Sequence, residues 1–414
     1  MDYYYIASIL VVLSALFGYI NVRFLKLPIT IGLMVITIIF TVVVLFIGQF
    51  DDTILLREKA FISRIDFESV LLDVMLSFLL FAGALHTNFQ QLKVQRGPIL
   101  AFATFGVIVS TVLVGTSMFY ILHWIGFEVS YINCLLFGAL ISPTDPIAVL
   151  GILKKAGAPK KLETKIVGES LFNDGVGVVV FLTIYSIAKN PTASIEILDI
   201  ATLFGQEVIG GIVLGLLLGW VTYRLMRSIN NYEIEVILTI AAVMGGTLLA
   251  HVFHLSAPLA RVTTGLIVGN DTVRDSAMSE VTEMYVDKFW ELIDVLLNTL
   301  LFVMIGMEML VLTLGKNFVY AGLLAIPVIL MCRYMSLYLP IKFFAKRLDF
   351  VPKTNLIMTW GGLRGGISIA LALSLTVDMH RELFLVITYI VVVVSIIGQG
   401  LTVEPIIKRL TQSE

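Results

Sequence analysis

Long apolar stretches recur from one end of the sequence to the other, and each has roughly the 20 residues that a helix needs to cross a bilayer. Only 14% of the 414 residues are charged, whereas soluble domains carry about 25%. So apolar a surface is stable only when lipid covers most of it. The sequence therefore predicts an all-α polytopic membrane protein.

Hydropathy divides the chain into thirteen predicted spans with short connecting loops. No loop is long enough to hold a soluble domain, so residues 1–414 form one transmembrane unit. The predicted spans are residues 4–23, 28–48, 67–87, 98–122, 131–153, 163–188, 200–223, 233–253, 257–270, 288–313, 317–339, 354–377 and 382–406.

The distribution of positive charge predicts the orientation of these spans. Of the 28 lysines and arginines, nineteen fall in alternate loops and the C-terminal tail, six fall in the opposite loops, and three lie inside spans. Cytoplasmic loops are the ones enriched in lysine and arginine. The N-terminus is therefore predicted to lie outside and the C-terminus in the cytoplasm. The net charge of −2 argues against a nucleic-acid partner.

Two spans contain sequence that interrupts a helix. Span five carries Ser142-Pro143-Thr144-Asp145-Pro146 at its middle, and span twelve carries four glycines around Arg364 in residues 361–366. Proline removes a backbone donor and disfavours helix at the residue before it. Non-helical backbone at this depth is tolerated only where protein buries it or where it lines a water-filled cavity.

The positions of the two interruptions suggest an internal repeat. If span seven is a connector, each interruption falls in the fifth span of a six-helix half, and the second half is inverted relative to the first. Matched broken helices in inverted halves are the best sequence indication of a transporter site at the membrane midplane. The predicted fold has two inverted six-helix repeats with discontinuous helices that cross.

Span six carries the polar side chains that are predicted to form an ion site beside the interruptions. It contains two acids, Glu169 and Asp174, with Ser170 and Asn173 between them, and charged side chains inside a membrane are expensive and usually functional. Asp174 is the predicted transport residue. Since hard cations prefer oxygen ligands, Ser170, Asn173 and the Thr144 carbonyl are predicted to complete a site for an alkali cation. A proton and a cation would then compete for one carboxylate.

Three arginines, Arg261, Arg333 and Arg364, lie at membrane depth and each needs an anionic or carbonyl partner. Glu169 is the predicted partner of Arg333, because the pair would offset both burial penalties. Asp294 in span ten is a candidate partner of Arg261. Asp145, at the first interruption, is predicted to take part in ion binding through water.

Together these motifs resemble the NhaP-type sodium/proton antiporters, a family that includes the eukaryotic sodium/proton exchangers. The resemblance rests on residues 142–146, on Glu169-Ser170-Leu171-Phe172-Asn173-Asp174 and on Gly362-Leu363-Arg364-Gly365, and it covers almost the whole chain. It implies the inverted-repeat, NhaA-like antiporter fold and a homodimer in which a core domain moves past a dimer domain like an elevator. It further implies Asp174 as the ion and proton site, Thr144, Ser170 and Asp145 as ligands, and Arg364 as the residue that stabilises the second break.

The resemblance carries two further expectations. Asn173-Asp174, in place of two adjacent aspartates, implies electroneutral exchange of one cation per proton. Residues 1–95 and 200–315 would form mainly the dimer or scaffold helices, and residues 98–188 and 317–406 mainly the ion-transporting core. Many relatives have an acid in span three where this chain has Ala82, a departure that bears on ion selectivity and affinity.

Several alternatives remain open at this point. Potassium in place of sodium or lithium is the main one, since selectivity depends on cavity size. An intramembrane aspartyl protease would need Tyr-Asp and Gly-x-Gly-Asp contexts, and neither occurs; a passive channel would need no titrating carboxylate. No cofactor is predicted. The expected setting is the inner membrane of a prokaryotic cell, with membrane lipids as neighbours.

Overall fold

The computed structural model describes residues 2–48, 50, 67–145, 153, 158–189, 197–312, 315–346, 348 and 350–411. Residues 51–66, which lie between predicted spans two and three, and residues 146–152 of predicted span five lie outside them. The described part of the chain is helical and contains no strand. In chain order its helices are α1 (Asp2–Ile20), α2 (Ile29–Ile47), α3 (Leu76–Leu85), α4 (Phe89–Ala101), α5 (Val107–Ile125), α6 (Tyr131–Ile141), α7 (Lys160–Lys189), α8 (Ile197–Met226), α9 (Tyr232–Val252), α10 (Ala257–Val268), α11 (Asp271–Ala277), α12 (Glu280–Glu308), α13 (Lys316–Phe344), α14 (Thr354–Trp360), α15 (Gly366–Leu373), α16 (Arg381–Val394) and α17 (Gly400–Thr411).

Short π-helical segments extend or join several of these helices. They are Asn21–Leu25 after α1, Val70–Met75 before α3, Phe102–Gly106 between α4 and α5, and Ser395–Gln399 between α16 and α17. Because of these joins, α16 and α17 form one membrane-length helix, Arg381–Leu410.

Within the described residues, nine helices are long and apolar enough to cross a bilayer. They correspond to predicted spans one, two, four, six, seven, eight, ten, eleven and thirteen. Spans three and nine appear as the shorter apolar helices Val70–Leu85 and Ala257–Val268. The remaining two spans are the interrupted ones: α6 ends at Ile141, and span twelve is divided into α14 and α15.

The chain is apolar on the outside and polar in places inside. Trp124, Leu248 and Val252 are 81%, 68% and 69% exposed, while Glu169 and Arg364 are 1% and 2% exposed. Exposed apolar area of this extent is stable when it faces lipid, and buried charges at this depth require partners. The distribution agrees with a multi-pass membrane protein.

The helices pack in two groups that meet at α7 and α15. In one group α5 packs on α6 and α13, α7 on α4 and α6, and α16 on α13 and α15. In the other group α10 packs on α3 and α8, while α12 packs on α1, α2 and α9. The groups touch where α7 contacts α8 and α10, and where α15 contacts α12 and Val70–Met75. The two predicted interruptions lie along this boundary.

The predicted start of span ten is wrong. Span ten was expected to begin at residue 288, but α12 begins at Glu280, where the Ser279 side chain accepts a hydrogen bond from the Thr282 N–H at 3.2 Å. Such a cap satisfies a backbone donor that would otherwise have no partner. The helix therefore starts two turns before its apolar stretch, and residues 271–287, between predicted spans nine and ten, consist largely of α11 and these first turns.

Candidate ion-binding site

The first interruption begins where α6 ends. Ile141 is the last residue of the helix, and Ser142, Pro143, Thr144 and Asp145 continue without helical hydrogen bonding. The Ser142 hydroxyl donates back to the Gly138 carbonyl at 2.7 Å. Pro143 has no N–H to donate, so the helical ladder stops here and nearby carbonyls are left without helical partners.

The second interruption supplies those partners. Arg364 donates through Nη1 to the Ser142 carbonyl at 2.6 Å and to the Pro143 carbonyl at 2.9 Å. The Asp145 N–H donates to the Leu363 carbonyl at 2.8 Å. The two unwound segments are thus hydrogen-bonded to each other, which satisfies buried backbone that has no water to bind.

Gly365 allows the two segments to approach closely. A Cβ on this residue would lie 2.7 Å from the Asp145 Cβ, closer than real Cβ atoms come to other heavy atoms. Gly365 has an extended backbone and no positive φ. Glycine is therefore needed here to leave space for the Asp145 side chain, and not to adopt an unusual backbone conformation.

Side chains of α7 also form hydrogen bonds with the first interruption, in addition to those from the second interruption. The Asn173 amide donates to the Thr144 hydroxyl at 2.9 Å and accepts from the Thr144 N–H at 3.3 Å. Ser170 donates its hydroxyl to the Thr144 carbonyl. Asn173, predicted as an ion ligand, uses both of its amide atoms on Thr144, and it therefore acts on the site by holding Thr144 in place.

Asp174 occupies the centre of this arrangement. Its side chain lines a narrow cavity of about 60 Å³ together with Pro143, Thr144, Asp145 and the start of α15 from Gly365. The residue is 5% exposed, and it makes no hydrogen bond or ion pair with any residue that the structure describes. A cavity of this size has room for a small ion or a few waters.

The opposite wall of the cavity is apolar. Leu76, Leu79 and Leu80 come from the α3 region and Leu301 comes from α12, the second group of helices. The polar side chains of the cavity are Asp174 of α7, Thr144 and Asp145 of the first interruption and Ser368 of α15, all in the first group. The carboxylate therefore lies at the boundary between the two groups, facing leucines.

A wider cavity of about 420 Å³ lies further along α7. Val178 and Leu182, one and two turns after Asp174, line it, and Glu207, His254 and Arg261 contribute polar groups. Leu76 borders both cavities. Leu76 is thus a shared part of the walls of the wider cavity and the narrow cavity that contains Asp174.

Both carboxylate oxygens of Glu169, the other acid of α7, are paired with an arginine. Arg333 approaches it with both terminal nitrogens, Nη1 to Oε1 at 3.0 Å and Nη2 to Oε2 at 3.1 Å. Arg333 Nε donates to the Met358 carbonyl at 3.2 Å, and the guanidinium lies where a side chain on Gly362 would be. The pair ties α7 to α13 and to the helix before the second interruption.

Ala82 does not face the cavity. It is fully buried in an apolar cluster with Phe81 and Trp290, whereas the α3 residues that line the Asp174 cavity are Leu76, Leu79, Leu80 and Gly83. An acid at position 82 in this backbone would enter the Trp290 cluster. The absence of an acid there accordingly removes no group from the cavity wall of this chain.

The suggested pairing of Arg261 with Asp294 is wrong. Arg261 faces the wider cavity and donates to the Thr247 hydroxyl at 2.8 and 3.1 Å. Asp294 instead accepts a hydrogen bond from the Asn298 amide at 3.0 Å, and its charge interacts with that of Asp145. Asp294 was thus not recognised as a neighbour of the site, although an acid within an apolar span was the same signal that identified Asp174.

Comparison with known families matches residues 11–409 to the family described as "Sodium/hydrogen exchanger, transmembrane". The chain is 48% identical over 408 residues to the Na⁺/H⁺ antiporter NhaP of Pseudomonas aeruginosa, covering 97% of this chain and 95% of that protein. It is 34% identical over 348 residues to the Na⁺/H⁺ antiporter NhaH of Halobacillus dabanensis, covering 83% and 84%.

A solved structure has a similar fold over the full length of both chains. It is the sodium proton antiporter MjNhaP1 from Methanocaldococcus jannaschii at pH 8, with a TM-score of 0.80, coverage of 100% of each chain and 19% sequence identity. At this identity the likeness concerns the fold alone.

Proposed function

This chain belongs to the sodium/hydrogen exchanger family, and on that premise we propose that Na⁺ or Li⁺ and a proton compete for Asp174 in an exchange across the membrane. The chain is a secondary transporter of the Na⁺/H⁺ antiporter type and not an enzyme. One observation carries the proposal of the site: the buried Asp174 carboxylate has no partner among the described residues and lines a cavity between two broken helices.

The proposed Na⁺ site combines this carboxylate with oxygens of neighbouring residues. Alkali cations prefer oxygen ligands, and Thr144 and Ser170 carry hydroxyl and carbonyl oxygens beside Asp174. Asp145 lines the same cavity and would act through a bridging water. Asn173 positions Thr144, and Arg364 keeps the first interruption in its unwound form.

The apolar wall supports coupling of the two ions. An ionised Asp174 without a bound cation would have to pass Leu76, Leu80 and Leu301 as an uncompensated charge, which is costly at membrane depth. A protonated or cation-loaded carboxylate is neutral and passes at much lower cost. The empty, ionised carrier therefore crosses poorly, and exchange is favoured over leak.

We extend the proposal to the architecture of transport. The chain would have thirteen spans in two inverted six-helix repeats and would work as a homodimer among membrane lipids. Residues 98–188 and 317–406 would form the moving core, and residues 1–95 and 200–315 the scaffold and dimer helices. The core would carry Asp174 past the scaffold in an elevator-like movement. The protein would lie in the inner membrane with its N-terminus outside and its C-terminus in the cytoplasm.

The test is dissipation of a pH gradient by added cations in everted membrane vesicles from a host that lacks its own antiporters. Na⁺ and Li⁺ are expected to dissipate the gradient in vesicles that contain the protein, and K⁺ at the same concentration is expected to have little effect. Vesicles without the protein are the control. Dissipation by K⁺ alone would contradict the sodium assignment in favour of K⁺/H⁺ exchange, and no response to any of the three ions would contradict the antiport function.

A second expected result concerns stoichiometry. One titrating carboxylate carries either one proton or one monovalent cation, and Glu169 is occupied by Arg333. The exchange is therefore expected to be electroneutral, one cation for one proton. In proteoliposomes whose membrane potential is clamped with valinomycin and K⁺, the initial rate of Na⁺-driven proton movement is expected to stay constant between zero and negative potentials. A rate that changes severalfold with voltage contradicts this stoichiometry.

A further inference from the structure

A second acid lies at membrane depth beside the proposed site, on a helix of the other group. Asp294 is in the middle of α12, and its charge interacts with that of Asp145 in the first interruption. In the described part of the chain Asp294 forms no ion pair, and its hydrogen bond comes from the neutral Asn298 amide. Two nearby carboxylates repel each other, and a cation bound near Asp294 weakens that repulsion.

Asn298 adds an independent observation. It is 3% exposed, its amide nitrogen donates to the Asp294 carboxylate at 3.0 Å and to the Asp294 carbonyl at 2.8 Å, and its carbonyl oxygen Oδ1 has no hydrogen-bond partner. Leaving a buried acceptor unsatisfied costs about 1–3 kcal/mol, so such groups usually have a function or a ligand. An amide oxygen beside a carboxylate is the kind of oxygen pair that alkali cations bind.

The helix geometry places these groups on the face of α12 that also carries a residue lining the Asp174 cavity. Asp294, Asn298 and Leu301 are spaced by four and three residues, so they share one face of α12. Leu301 on that face lines the cavity. At a rise of about 1.5 Å per residue, Asp294 lies roughly 10 Å before Leu301 along the helix.

Asp294 and the wider cavity lie on opposite sides of Asp174 along the membrane normal. The wide cavity follows α7 beyond Asp174, along Val178 and Leu182. Asp294 lies towards the beginning of α12, and in the proposed topology α7 and α12 both run from the cytoplasm outwards. The two features therefore flank Asp174 on opposite sides of the membrane, with Asp294 on the cytoplasmic side.

We propose that Asp294 and Asn298 form a second cation-binding site, which receives a monovalent alkali cation from the cytoplasm before it reaches Asp174 by way of Asp145. The inference rests on the proposed function and adds to it a binding step on a helix of the scaffold. The carboxylate attracts and partly dehydrates the cation, and the amide oxygen contributes a ligand. Because this site only precedes transport, its loss raises the concentration of cation needed without removing the exchange.

The experiment measures Na⁺-dependent dissipation of a pH gradient in everted vesicles, where the cytoplasmic face is exposed to the added salt. For Asp294→Asn the apparent KM for Na⁺ is expected to rise about tenfold while the maximal rate stays within about twofold of the wild type. Asp294→Glu is expected to restore most of the affinity, since it keeps the charge. Glu291→Gln is the matched control. It lies on the same helix, is 60% exposed and pairs with Lys288, so its KM is expected to be unchanged.

A maximal rate that falls with an unchanged KM for Na⁺ would indicate a structural role and overturn the proposal. A KM and a maximal rate of Asp294→Asn equal to those of the wild type would also overturn it. If Asp294→Asn does not fold, Asn298→Ala carries the same test, with an expected rise in KM of about threefold and an unchanged KM as the contrary result. These outcomes are distinguishable from failure of the proposed function, because in that case the wild-type vesicles themselves would not respond to Na⁺.

Discussion

Asp174→Asn is expected to reduce Na⁺- and Li⁺-driven proton movement to the level of vesicles without the protein. Asparagine fills the same volume in the 60 Å³ cavity, but it neither takes up a proton nor compensates a cation. Both halves of the exchange depend on one carboxylate, so removing it leaves no partial activity. The measurement is the initial rate of pH-gradient dissipation, normalised to the amount of protein in the membrane.

The control for this variant is Asp378→Asn. Asp378 is an exposed aspartate in the short 3₁₀ turn Val377–Met379, away from the cavity, and its substitution makes the same chemical change. Its exchange rate is expected to match the wild type. The role of Asp174 would be disproved if Asp174→Asn, folded and present at wild-type levels, kept a rate similar to that of Asp378→Asn.

Arg333→Met is expected to destabilise the protein by about 3–5 kcal/mol, the usual cost of leaving one partner of a buried ion pair without the other. Glu169 is 1% exposed and takes both terminal nitrogens of Arg333. Without the arginine its charge has no compensation inside the protein. The measurement is the midpoint of thermal unfolding in detergent, followed by tryptophan fluorescence or by the loss of the monodisperse peak.

Lys288→Met is the matched control for this change. It also removes the cation of an ion pair in a membrane helix, but Lys288 and Glu291 have side chains that are 72% and 60% exposed. Exposed pairs contribute about 0–1 kcal/mol, so a small change in the midpoint is expected. The double variant Glu169→Gln with Arg333→Met should recover much of the lost stability, because it removes the uncompensated charge. Equal effects of Arg333→Met and Lys288→Met would contradict a structural role for the buried pair.

Much of the overall architecture could be predicted from the sequence. Apolar stretches of membrane length are local signals, and predicted spans such as 163–188 correspond to helices such as α7. The Pro143 and Gly361–Gly366 regions are also local signals, because proline and glycine act on the backbone where they stand. The resemblance to sodium/proton antiporters rested on these motifs, and the comparisons confirm it.

The details of the site could be predicted less completely. An acid in an apolar helix indicates a buried charge, but the spacing in α7 does not say which acid has a partner. Glu169 and Asp174 are both buried, and only the packing of α13 gives the first an arginine and leaves the second facing a cavity. Likewise, only the backbone of the first interruption decided that Asn173 binds Thr144.

The sequence by itself determined which segments cross the membrane and where two of them lose their helical hydrogen bonds. The tertiary structure alone decided that Arg364 reaches carbonyls more than two hundred positions earlier in the chain, that Ala82 packs with Trp290, and that Asp294 is hydrogen-bonded to Asn298 and not paired with Arg261. The physical reason is that hydropathy and backbone preference belong to each residue and its neighbours. Partnerships between distant residues arise only when helices pack, because packing sets which polar groups are removed from water together.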